Sequence, residues 1–154
     1  MSEPEGIAVD RDELLRREAG NWGALEAAIA SVPADRRTEP GVVPGWSVRD
    51  LVWHCARWSG YVADVLGSIA AGTYVDEELP DSWFEDLNAR WAAEAASVDW
   101  DAVEAEMRAA RERARSAFEA LPAPDANAAE WFTDETVDHY AEHAAEITAF
   151  ARRA

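Results

Sequence analysis

The stretch WSVRDLVWHCARWSGYVADVLGSIAAG, Trp46 to Gly72, decides the fold. Ser47 is a natural N-cap, and Asp50 stands three places later. Together they make an acidic form of the capping box, in which each side chain takes up the other residue's free backbone N–H. Trp46 before the cap and Leu51 after it are placed to form a hydrophobic staple. Val48, Leu51, Cys55, Trp58, Val62, Val65 and Ile69 then recur three and four apart, which is the seam of a helix packed in a bundle. Gly72 is a C-cap, because glycine reaches the left-handed conformation without a Cβ penalty.

The same period recurs on either side. From Asp10 to Ser31, Leu15, Trp22, Leu25, Ile29 and Val32 share a stripe that Pro33 stops, while Gly20 and Gly23 weaken the helix. The region from Asp81 to Leu121 predicts two helical pieces, the second capped by Asp99, with PAPDAN ending it in a turn. A last helix is expected from about Thr133 to Arg152. Phe132, Thr136, His139, His143, Ile147 and Phe150 line one face of it, and Asp134, Glu135, Arg152 and Arg153 suit its dipole. Strand formers are scattered, so the fold class is all-α and the default architecture a four-helix bundle. Long connections after the first and second helices permit crossovers.

The chain has 154 residues, enough for a single domain, 1–154, with its own core. Its formal charge is −17, from 31 acidic residues against 14 basic ones, all of them Arg. That balance predicts no nucleic acid and no membrane surface as partners. The lone Cys55 excludes an internal disulfide framework and suggests a reducing, cytoplasmic location. No apolar run approaches the roughly 20 residues of a membrane span. The acidic N-terminus lacks the apolar core of a secretion signal.

The chain contains three histidines. His139 and His143 are four apart in TVDHYAEHAAEI, so both lie on one helix face, and that face is apolar. His54 lies beside the seam of the second helix. If the second and last helices pack together, the three imidazoles can close on one divalent ion and leave it an open position for water or an anionic sulfur or oxygen ligand. A coordinated thiol would then be deprotonated. The same spacing also serves ordinary packing, with the imidazoles hydrogen-bonded to Glu135 or Glu146. Cys55 on the seam reads as packing, and Arg57 as an exposed cation one turn from His54. No phosphate loop, calcium loop or Ser-His-Asp signature is present.

PGWSVRDLVWHCARW resembles the second-helix signature of the DinB-like metalloprotein superfamily, and TVDHYAEHAAEI resembles its last-helix signature. The similarity spans about Asp10 to Arg152. It is strongest to the N-terminal domain of mycothiol-dependent maleylpyruvate isomerase and to DfsB/ClbS-type proteins, the latter also around Asn88 in FEDLNARWAAE. The resemblance implies a four-helix bundle in up-down-down-up order. It implies a zinc or nickel ion held by His54, His139 and His143. It also implies a low-molecular-weight thiol such as mycothiol, a small-molecule electrophile as substrate, and pairing as a homodimer. A thiol S-transferase is the first function expected. A hydrolase that destroys a reactive metabolite for self-protection is the alternative, and a non-catalytic metal-binding bundle a third. In the isomerase branch a Glu four places before a His is a ligand, which makes a Glu135–His139 register conceivable. That branch also carries a second domain after this one, and many relatives have Arg where Ala144 stands.

Overall fold

A computed structural model describes residues 9–153. The helices are α1 (Arg11–Ala30), α2 (Val48–Ala71), α3 (Asp81–Ala95), α4 (Trp100–Glu119), α5 (Ala126–Phe132) and α6 (Asp138–Arg152). A five-residue π turn, Thr133–Val137, joins α5 to α6, and a short 3-10 turn, Ala34–Arg36, follows α1. No strand forms among the described residues.

The local signals act as expected at most ends. Ser47 accepts from Asp50 N and Asp50 from Ser47 N, completing the capping box. Gly72 takes φ 73°. Asp10 and Asp99 each accept the backbone N–H three residues on. The last helical stretch differs from the reading above. Asp125 caps a new helix at Ala126 instead of belonging to a bare turn, and the chain stays helical through Thr133. The Pro-rich approach to Asp125 hides this start, because prolines punctuate a helix just before its N-cap as readily as after its end.

Named pairs set the directions. Arg115 near the end of α4 donates to Leu15 O near the start of α1, whereas Met107 of α4 shares a cavity wall with Ile29 at the other end, so α1 and α4 are antiparallel. Asn21 donates to Val137 O and Trp22 meets Tyr140 edge-on, while Arg36, beyond α1, reaches Phe150 O near the end of α6, so α1 and α6 are parallel. Val52 lies beside Met107, and Val62 and Leu66 pack with Ala114 and Phe118, so α2 and α4 are parallel. The order is therefore up-down-down-up. α3 lies in the α2–α4 crossover and packs on α2 through Trp58, Phe84 and Trp91.

The core is mostly apolar, and one buried carboxylate among the described residues ties two helices together. Glu18, 1% exposed, receives Arg111 at 2.6 and 2.9 Å and Arg115 at 2.7 Å. A buried carboxylate needs such paired donors to remain charged. The cluster ties α1 to α4, leaving α2 and α6 to face each other across the imidazoles.

Candidate metal centre

Two features of the chain aim the histidines. The capped start of α2 puts His54 on the turn that faces α6. The π turn before α6 holds one more residue per turn than an α-helix, so it resets the phase of everything after Val137. Thr136 marks the distortion by donating its hydroxyl to Phe132 O. His139 and His143 consequently point inward with Ile147 and Phe150, and all four are buried.

One nitrogen from each of His54, His139 and His143 lies within 4.8 Å of the others. His54 Nε2 and His139 Nε2 are 2.9 Å apart. The rings are 7–8% exposed. Burial first, and then the neighbouring His143, push the His54 pKa down to about 3. His139 is also held well below its ordinary value by burial, then by His143 and His54. These two imidazoles are thus neutral at pH 7 with lone pairs available.

His143 Nδ1 is 3.3 Å from Glu146 Oε2, which leaves Nε2 for another partner. Glu135 Oε2 lies 3.8 Å from His139 Nδ1, too far for a hydrogen bond, and is not one of the three converging groups. Among the described residues, His54 Nδ1, His139 Nδ1 and His143 Nε2 are buried without a hydrogen-bond partner. His54 and His139 can share one hydrogen bond, but three converging imidazoles with further buried, unpartnered nitrogens make a donor set that can hold a divalent metal ion.

A cavity of about 300 Å³ opens over the rings, with Trp58, Phe84, Asn88, Asp134, Glu135 and Glu142 on its walls. Trp58 donates to Asn88 Oδ1, which fixes the indole. Burial, then Asp134 and Glu142, raise the Glu135 pKa to about 7. Trp46 packs edge-on against His54 from the α2 entry, so the expected staple residue also buttresses an imidazole. Cys55 is fully buried, and burial raises its thiol pKa, so it is inert packing. Arg57 pairs with Glu94 at 3.3 Å and stacks near Trp53 and Trp91, away from this cavity. Trp53 donates to Glu94 and does not line the cavity.

Sequence reasoning did not single out Glu142, Asp134 or Phe84. Glu142 and Glu135 flank His139 at +3 and −4, a spacing that signals a shared helix neighbourhood. Phe84 arrives from α3 across the crossover and leaves no local signal.

Fold and site define a DinB-like helical bundle. The sequence matches the model of the mycothiol maleylpyruvate isomerase N-terminal domain over residues 15–150, and the chain belongs to that family. It is similar in structure to an uncharacterised protein from Escherichia coli UTI89, with TM-score 0.79 and 18% identity, covering 92% of each chain. It is also similar to the colibactin self-resistance protein ClbS, crystallised in complex with a dsDNA. That match has TM-score 0.80 and 14% identity, covering 97% of this chain and 99% of ClbS. No curated protein matches the sequence.

One expectation is corrected by these comparisons. A total charge of −17 predicts no nucleic acid as a partner, yet a protein of this fold is found with dsDNA. The reason is that a sum over the chain does not describe a local surface. Charges beyond about 8–10 Å are screened at physiological salt. Here Arg36, Arg37, Arg49 and Arg153 lie near one end of the bundle, with Glu39 and Asp50 beside Arg36 and Arg49. Arg36 donates to Arg153 O, Arg153 to Gly41 O, and Arg49 N to Arg37 O. No described helix is long and apolar enough to cross a bilayer.

Proposed function

We propose that this protein is a metal-dependent enzyme that transfers a low-molecular-weight thiol to a small electrophile. The observation that carries the reading is the convergence of His54, His139 and His143, from two helices, beneath an open cavity. A zinc or nickel ion, if held by these three imidazoles, would supply Lewis acidity and favour the thiolate form of a bound thiol. Glu146 holds the His143 ring in the tautomer that presents Nε2. Glu135 lies beside the cavity, where its carboxyl takes the thiol proton. Trp58 and Phe84 shield the reacting atoms from water on the α3 side. Family membership supports a thiol cosubstrate of the mycothiol type.

The test is elemental analysis of untagged protein, followed by turnover of chlorodinitrobenzene with and without thiol. About one equivalent of ion and thiol-dependent conjugation are expected, and His143→Ala abolishes both. Turnover that proceeds without thiol assigns the cavity to hydrolysis of a reactive metabolite, the class of task that the self-resistance role of ClbS suggests. Protein that retains no ion overturns the enzymatic reading and leaves a helical binding module.

A second reading concerns the arginine-rich end. Arg36, Arg37, Arg49 and Arg153 lie near one another, Arg36 and Arg49 beside Glu39 and Asp50, and a relative of this fold is found with dsDNA, so phosphates would compete with those carboxylates for the guanidiniums. Salt-sensitive retention of a short DNA duplex, lost in Arg37→Glu, is the expected result. Equal retention by that variant rules this surface out.

A further inference from the structure

The cavity over the imidazoles does not end at its own walls. A second cavity, about 210 Å³, shares Phe84, Asp134 and Glu135 with it, so the two adjoin as chambers on either side of those side chains, together called the groove below. The far chamber lies between the 73–80 connection and α5. Its aromatic wall is Tyr74 and Trp131, and Trp131 Nε1 donates to Tyr74 Oη at 3.0 Å, which locks the two side chains together. Asp76, Glu77 and Glu130 surround that wall.

The charge of this groove is one-sided. Asp76, Glu77, Glu130, Asp134, Glu135 and Glu142 all line it, and no arginine does. Among the described residues, none of these carboxylates has an arginine within 4.0 Å, although acids elsewhere, such as Glu18, Glu94 and Glu106, are paired. Two ordinary explanations apply to only part of the set. Glu135 lies against an imidazole and compensates a cation held there. Asp76, Glu77 and Glu130 line the far chamber and not the chamber of the rings. A merely solvated acidic face is convex, whereas these acids, though mostly exposed, rim a concavity that has aromatic walls. The same groove is walled by His143, 7% exposed, whose Nε2 has no hydrogen-bond partner.

Carboxylates around aromatic faces recognise organic cations, by charge and by the negative face of the ring. They repel dicarboxylates by the same field. We propose that the groove selects substrates bearing an ammonium group. The cationic head sits in the far chamber against Trp131 and Tyr74, and the reactive end lies over the imidazoles. This rests on the reading of the imidazole cluster as the reactive centre, but the far chamber binds cations whether or not an ion is held.

The test is calorimetric titration of the protein, with and without added nickel, using benzyltrimethylammonium, benzyl alcohol and phenylacetate as probes. The ammonium is expected to bind about tenfold more tightly than the alcohol, and phenylacetate more weakly than either. Replacing Asp76→Asn, Glu77→Gln and Glu130→Gln together lowers the ammonium affinity by about tenfold and leaves the alcohol unchanged. These positions are exposed, so the triple variant folds, and each single change moves the affinity in the same direction. Equal affinity for ammonium and alcohol overturns the proposal, as does an unchanged ammonium affinity in the triple variant. Protein that holds no ion but still prefers the ammonium overturns the metal reading alone. Protein that holds the ion but shows no preference overturns this one alone.

Discussion

Removing the Glu135 carboxylate should expose a pH dependence that the intact protein conceals. His54 has its pKa lowered to about 3, from 6.5, by burial and His143. The unfolded chain therefore binds a proton below pH 6.5 that the folded chain refuses, and stability falls as pH drops from 6.5 toward 3. Between pH 7 and 5 this single group costs about 2 kcal/mol. Glu135 has its pKa raised to about 7, from 4.5, by burial, Asp134 and Glu142. Here the folded state holds the extra proton, so stability rises as pH drops from 7 toward 4.5, by about 2 kcal/mol over the same window. The two contributions offset each other. Urea denaturation of chelator-treated protein should give a small change for the wild type between pH 7 and 5. Glu135→Gln should lose about 2 kcal/mol over that interval, and more if His139, also depressed, follows. If Glu135→Gln and wild type show the same pH slope, the two groups do not have the environments described here.

Other consequences can be measured directly. Glu146→Ala frees His143 Nδ1 and should weaken nickel binding by about 10- to 100-fold in a competition titration, with the helical circular dichroism unchanged. Glu18→Ala leaves Arg111 and Arg115 facing the core without a counter-charge. The cost should be about 2–3 kcal/mol in urea, less than for a fully buried pair because both guanidiniums reach solvent. Ser47→Ala removes one half of the α2 capping box and should lower stability by about 1 kcal/mol by the same measurement.

Much of the architecture was legible because its causes are local. The Ser47–Asp50 box, the three-and-four seam of α2 and the left-handed Gly72 act within a few residues of themselves. The α5 start was not, because Asp125 follows prolines that also read as a stop. The π turn was not, because an extra residue per turn leaves no mark in a 3.6-residue pattern. The inward stripe from Phe132 to Phe150 nonetheless remained readable.

The sequence alone determined an all-helical chain, the helix faces that bury and three histidines as the candidate ligands, since each follows from spacing along one chain. Only the tertiary structure decided that His54 comes within 2.9 Å of His139, 85 residues away, that Glu135 stands outside the cluster, and that unpaired acids share a groove with Trp131. Those facts depend on how α2, α3 and α6 cross. Whole-chain charge was the poorest guide of all, because a sum carries no position and electrostatic recognition is local.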